Sequence, residues 1–277
     1  GEVRGGAPRN VLVRLRSLGA DASIISRRGD DADGAELLRQ IEEKNVHSNL
    51  LQVDKTQATS LVKVKLDRSG SASYDIVYPC AWDRIEVEPA ALARVAESDA
   101  FIFGSLSTRD EVSRASLAQL LEQAKFKIFD VNLRPPHYDI ERILATMRLA
   151  DLVKLNDDEL HEIASTLGSK YHSLEQNIRF LADLSGAAKI CVTLGSHGAM
   201  YYQEGQIYHN SGFRVKVADT VGSGDSFLAG LTYKLLNAAA PQEALAFACA
   251  LGVLVASYHG ATPEISLQQI ESFMHPA

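Results

Sequence analysis

In the stretch DTVGSGDSFLAG, residues 219–230, two glycines flank a serine and an aspartate follows at once: Gly222, Ser223, Gly224 and Asp225. Glycines let successive backbone N–H groups converge on one point. The apolar helical run that follows adds unpaired N–H groups and a positive dipole end. Together these make a nest for an oxyanion. The loop is not of the GxxxxGK[ST] type, since no lysine supplies charge within it. It is not the dinucleotide fingerprint either, because Phe227 stands where a third small residue is needed. A carboxylate beside the nest weakens simple phosphate binding. It suits a reaction in which an alcohol loses its proton while a phosphoryl group lies close by. Asp225 then acts as general base, and the nest stabilises charge on the phosphoryl group. The residues alone also allow Asp225 to be no more than a helix N-cap.

Three further segments carry polar groups that suit phosphate chemistry. In KLNDDE (154–159), Asn156 and Glu159 lie three apart where a strand gives way to a helix. A carboxylate and a neutral amide there suit Mg²⁺ and its waters, and the same spacing is that of a capping box. In VTLGSHGA (192–199), Thr193, Gly195 and Gly198 close a strand; the glycines permit close approach of a nucleotide and the hydroxyl can bind phosphate, or the segment is an ordinary tight turn. In DVNLRPP (130–136), Asn132 and Arg134 are expected to point to one side of an extended segment, with Arg134 clamping a phosphate or sugar oxygen or lying on the surface.

Elements that could position these groups are legible along the chain. The apolar runs 100–105, 127–132, 151–156 and 189–195 alternate with helical stretches, and the run 213–217 leads into the glycine loop as a further strand. Short buried strands alternating with helices predict an α/β fold with a mostly parallel, doubly wound sheet, whose ligands bind at the carboxyl ends of strands. Residues 59–78 alternate apolar and polar on both sides of DRSGS, which predicts a half-exposed β-hairpin beside the main sheet; a second hairpin is expected to turn at Glu204-Gly205. The opening GEV is too short for a first strand before RGGAPRN, so residues are expected to be missing between Val3 and Arg4.

The chain has 277 residues, 46% of them apolar, and a formal net charge of −7. Without a basic tract, nucleic acid is not an expected partner. The three cysteines are far apart and show no CxxC spacing, which argues against structural zinc and a disulfide framework and fits a cytoplasmic protein. The longest apolar run, 244–258, is short for a membrane span and reads as a helix buried inside the protein.

DTVGSGDSF resembles the signature of the ribokinase-like sugar kinases, the phosphofructokinase-B family, with Ser223 in place of the usual alanine. GGAPRN (5–10), GDDADG (29–34), KLNDDE and VTLGSHGA follow the family's other motifs in order, so the resemblance spans nearly the whole chain. It implies a three-layer αβα sandwich forming one kinase domain over 1–277, with a β-sheet lid from about 49–80 and the N-terminal segment. It implies ATP and Mg²⁺ as cofactors, with Asn156, Glu159, Thr193, Gly195, Gly198 and Arg134 on the nucleotide side and Asn156 and Glu159 meeting the metal through water. Sugar contacts fall to Gly5, Gly6, Asn10, Gly29, Asp30, Asn132 and Asp225, Asp30 being alternatively the cap of a helix from about Asp33. The neighbourhood of Asp219 and SYHGATP (257–263) holds a monovalent cation, K⁺, in relatives. The motifs GGAP, AWD (81–83) and DxNxR point toward bacterial fructokinases and hence fructose, with ketodeoxygluconate, ribose or a nucleoside as alternative acceptors. A homodimer paired through the lid is expected. The competing class is a non-catalytic sugar- or nucleotide-binding protein on the same fold.

Overall fold

The computed structural model describes residues 2–3, 6–66 and 72–275. The chain runs β1 (Glu2–Val3), α1 (Ala7–Ser17), β2 (Ser26–Gly29), α2 (Ala32–Glu42), β3 (Leu51–Asp54), β4 (Val62–Leu66) and β5 (Ala72–Ile76). It continues with α3 (Pro89–Glu97), β6 (Phe101–Gly104), α4 (Glu111–Gln123), β7 (Lys127–Asp130), α5 (Ile140–Met147), β8 (Leu152–Asn156), α6 (Asp157–Thr166) and α7 (Leu174–Ser185). It ends with β9 (Lys189–Thr193), β10 (Ala199–Gln203), β11 (Gln206–Asn210), α8 (Ser223–Leu236), α9 (Pro241–Ala256) and α10 (Leu267–Met274).

The central sheet has the order β11-β10-β9-β8-β7-β6. Strands β6 to β9 are parallel, joined by helical crossovers, and β10 and β11 add an antiparallel hairpin at one edge. That hairpin turns at Glu204 and Gly205, both with positive φ (51° and 78°), the conformation that matches the twist of its strands. Successive residues of the inner strands face opposite layers. Phe129, Val153 and Ile190 pack under α4, α5, α6 and α7. Ile128, Leu152 and Cys191 pack under α1, α8 and α9. The result is the expected three-layer αβα sandwich. Helices α8 and α9 are apolar on nearly every side because both are sunk in this second layer, and α9 is the buried helix anticipated from residues 244–258.

Two smaller sheets stand apart: β1-β4-β5, antiparallel, and the parallel pair β2-β3. The first contains the hairpin anticipated from residues 59–78; its turn, residues 67–71, lies outside the described residues, as do Gly5 and the Val3–Arg4 junction.

One predicted strand is absent. Residues 213–217 form no ladder. Phe213 packs instead against Phe273 of α10, with ring centroids 5.2 Å apart, while Val217 is exposed. Helix α2 also begins differently from expectation. It starts at Ala32 and is capped by Asp31, whose Oδ1 accepts from Gly34 N at 2.7 Å, so Asp30 is not the cap.

Candidate active site

The carboxyl ends of β7, β8 and β9 converge on the N-terminus of α8. Strands β7 and β8 pair in register with Asp130 opposite Lys154, and β8 and β9 pair with Asn156 opposite Thr193. Ile128 and Leu152 face the α8 layer, so two residues further along, Asp130 and Lys154 face it as well. Both are buried, and Lys154 Nζ lies 3.1 Å from Asp130 Oδ1. Neither was singled out from sequence. The available signal was a charged residue inside an otherwise apolar, doubly covered strand, which is rare unless the charge is paired.

At the head of α8, Gly222 is the N-cap with φ 79°. It is closed in by the main chain of Ala261, and a side chain would overlap that carbonyl. Ser223 Oγ donates to the Gly252 carbonyl of α9 at 2.8 Å, anchoring the loop on the neighbouring helix. Asp225 is therefore the third residue of the helix rather than its N-cap. Its Oδ2 accepts from Asn10 Nδ2 of α1 at 2.8 Å, across 215 residues of sequence. Arg14, one turn further along α1 on the same face, is buried. It donates Nε to Ser226 Oγ at 3.3 Å and its guanidinium to the Pro263 carbonyl at 2.9 Å. Two consecutive residues of α8 are thus tied to α1.

Burial raises the Asp225 carboxyl to a pKa of about 6; the neighbouring Asp130 charge adds to the rise, while the Asn10 hydrogen bond, Lys154 and Arg134 oppose it. An acid half-protonated near pH 6 is largely ionised at neutral pH, yet its conjugate acid is far closer to neutrality than an exposed aspartate's. That is a suitable poise for accepting a proton.

Asn156 and Glu159 form the capping box of α6. Asn156 Oδ1 accepts from Glu159 N at 2.8 Å, and Glu159 Oε2 from Asn156 N at 2.9 Å. Glu159 Oε1 also accepts from Leu133 N at 2.7 Å, so this buried carboxylate braces the segment after β7 as well. Burial holds its pKa above the ordinary value. With these oxygens engaged by main-chain donors, the pair suits a hydrated ion better than direct ligation.

The extended geometry expected for residues 132–134 does not occur. Strand β7 ends at Asp130 and Asn132 has φ 47°, so the alternation of a strand is lost where the chain turns to reach Glu159. Asn132 offers its carbonyl to Ser105 Oγ at 3.2 Å. Arg134 still bears electrostatically on Asp225 and donates to the Leu133 carbonyl at 2.8 Å. Thr193 is partly exposed at the end of β9. Gly195 faces open space, whereas Gly198 is pressed against the main chain of Asn210 and Gly212 and is required by the turn.

Among the sugar-side candidates, Gly6 is the exposed N-cap of α1 and Asn10 is joined to Asp225. Asp30 is exposed, and its N–H donates to the Asp54 carbonyl at 2.8 Å. Gly29 is buried against residues 57–59, so its missing side chain serves packing. Asp219 straps two loops together: its carboxylate accepts from Val221 N at 3.0 Å and from Gly260 N at 3.1 Å, and these bonds hold its pKa below the ordinary value. The AWD motif is structural. Buried Asp83 pairs with Arg109 at 2.7 Å, and the Arg109 guanidinium lies 4.0 Å from the centre of the Trp82 ring.

A half-buried carboxylate at the head of a helix, beside a glycine loop and the ends of parallel strands, is chemically suited to phosphoryl transfer to an alcohol. The chain belongs to the pfkB family of carbohydrate kinases, whose model matches residues 1–267. It is 31% identical to a fructokinase of Klebsiella pneumoniae, over 93% of this chain and 87% of that one. The fold is similar to that of the fructokinase of Xylella fastidiosa solved with bound ATP, with a TM-score of 0.85, 26% identity, and coverage of 98% of this chain and 90% of that one. It is also similar to the aminoimidazole riboside kinase of Salmonella enterica solved with its riboside and an ATP analogue, with a TM-score of 0.80, 26% identity, and coverage of 98% and 91%. The protein is an enzyme, a sugar kinase, and the expectation of a non-catalytic binding protein is set aside.

Proposed function

We propose that this sugar kinase transfers the γ-phosphoryl group of ATP to the primary hydroxyl of fructose. The observation that supports the chemistry best is the contact between Asn10 and Asp225. The contact joins the residue we take as base, at the head of α8, to Asn10 of the segment we take as the sugar motif, and so supports that reading. Asp225 takes the hydroxyl proton as the oxygen attacks phosphorus in line; the new O–P bond forms, the bond to the leaving ADP breaks, and the N–H groups of residues 222–225 receive the charge on the transferring group.

On the nucleotide side, Thr193, Gly195 and Arg134 bind phosphate. Val217, Val221 and Tyr258, apolar and more than 40% exposed, lie on the loops flanking Asp219 and offer a surface for the base. Mg²⁺ would be held through water by Asn156 and Glu159, and when bound it neutralises phosphate charge. The parts that would hold K⁺ are the two loops that Asp219 straps together. The β1-β4-β5 sheet acts as a lid that excludes water, and a second copy pairs with it to form a homodimer. Among the described residues no helix is long and apolar enough to cross a membrane; with three unpaired buried cysteines, a cytoplasmic setting is the one we favour.

Fructose is preferred because the relative in Klebsiella pneumoniae and the neighbour in Xylella fastidiosa are fructokinases. The DxNxR and AWD segments agree with that resemblance, although Asp83 and Trp82 are engaged with Arg109 and are not offered as sugar contacts. The test is coupled ADP release over fructose, ribose, ketodeoxygluconate, aminoimidazole riboside and nucleosides. The expected result is the highest kcat/KM with fructose. Preference for another acceptor overturns the substrate alone; no turnover with any sugar overturns the kinase assignment of these residues.

A further inference from the structure

The glycine loop carries no lysine, yet the structure brings one to it from another element. Lys154 rises from β8 into the layer beneath α8. Its Nζ is 3.1 Å from Asp130 Oδ1 and lies 3.6 Å from the point where a Cβ on Gly224 would stand. The ammonium thus stands beside the glycine loop. Lys154 is 8% exposed, and its charge is paired with the buried Asp130.

The groups facing Asp225 can be taken element by element. Helix α1 contributes Asn10, a neutral donor; β7 contributes Asp130; the segment after β7 contributes Arg134; β8 contributes Lys154. Glu159, from α6, acts on Lys154. Arg134 lies in a turning segment and is partly exposed, so its charge is screened. Of the two buried cations nearby, Arg14 is turned to Ser226 and the Pro263 carbonyl, which leaves Lys154 as the buried cation that bears on Asp225. Without that cation the desolvated carboxyl would hold its proton to a higher pH and be ionised in a smaller fraction of molecules at neutral pH.

We propose that Lys154 is a positioning residue for phosphoryl transfer: held in place by Asp130, its ammonium is the fixed cation beneath the glycine loop that keeps the Asp225 carboxylate charged and oriented. Asp130 has two opposed effects, since it anchors the ammonium but also repels Asp225 directly. Removing the lysine therefore raises Asp225, whereas removing the aspartate loosens the ammonium and lifts a repulsion at once, so its net effect lies below the lysine's. This inference rests on the assignment of Asp225 as base, and its test separates the two.

The experiment is carried out on the full chain with ¹³C-labelled aspartate. The Asp225 carboxyl resonance, assigned by its loss in Asp225→Asn, is titrated in the wild type, Lys154→Met and Asp130→Asn, and the same three proteins are assayed for kcat/KM against pH, which reports the free enzyme. In the wild type the acid limb of kcat/KM is expected near pH 6. In Lys154→Met both the resonance and the limb are expected to move up by about one pH unit or more, since a nearby opposite charge is worth on the order of one to three units. In Asp130→Asn both are expected to lie below their positions in Lys154→Met, because the direct repulsion is lost as well. A lysine that merely fills space would lower activity by one factor at all pH values with neither midpoint moved, and that result overturns the proposal. So does an Asp130→Asn midpoint above that of Lys154→Met. If Lys154→Met does not fold, Lys154→Gln, a neutral polar side chain, is titrated in its place. If the wild type phosphorylates no sugar, the kinase assignment fails while the titrations still decide whether Lys154 controls Asp225.

Discussion

Replacing Asp225 by asparagine should make the protein more stable while removing its activity. Burial raises this carboxyl from 3.8 to about 6 in the folded chain. The folded state thus holds the proton more tightly than the unfolded state, and stability falls as pH rises between those two values. At about 1.4 kcal/mol per unit, a shift of about two units is a ceiling near 3 kcal/mol of stability lost above pH 6. Asp225 keeps some solvent contact, so about 1–2 kcal/mol is the expected size. Asparagine has the same shape, can still accept from Asn10 through its own oxygen, and carries no charge to desolvate. Melting curves of both proteins should coincide near pH 4 and separate progressively to a plateau above pH 7. There the variant should melt higher by about 2–8 °C, given about 2–4 °C per kcal/mol for a chain of this size. In the ADP-release assay at pH 7.5 the same variant should lose a factor of about 10²–10⁴ in kcat, the usual worth of a general base. A variant less stable than wild type at pH 8, or a stability difference that does not change with pH, would refute the claim that Asp225 is a desolvated and strained charge. Near-normal turnover would remove it from the chemistry.

Other expected outcomes follow from the same geometry. Glu159→Gln leaves one oxygen to serve two main-chain donors, Asn156 N and Leu133 N, and should destabilise the chain by about 1–3 kcal/mol in denaturant unfolding. Gly222→Ala combines positive φ (79°) with overlap against Ala261; a loss of about 2 kcal/mol or more and a weakened affinity for nucleotide, read by calorimetry, are expected. Arg109→Met strands the fully buried Asp83 and should cost about 3–5 kcal/mol in urea unfolding, whereas the double variant with Asp83→Asn should recover much of that loss.

Much of this protein is legible in its residues taken in order. Alternating buried strands and helices specify the layers, because each short apolar run has one way to satisfy its backbone and cover both faces. The hairpin at Glu204-Gly205, the capping box of Asn156 and Glu159, and the loop at residues 222–225 are local, set by spacing of a few residues. What is not legible is set by packing between distant segments. Residues 213–217 have the composition of a strand but no partner to complete a ladder. Asn132 takes a left-handed turn, and its neighbour Leu133 meets a carboxylate 26 residues away. The identity of Asp225 as an aspartate in a glycine loop is written in the sequence; its protonation is not. That depends on burial under the loop, on Asn10 from the other end of the chain, and on a lysine and aspartate brought side by side by the register of two parallel strands. Dihedral angles and caps answer to near neighbours, whereas the cost of a charge is fixed by the dielectric and the other charges around it, and only the assembled tertiary structure supplies those.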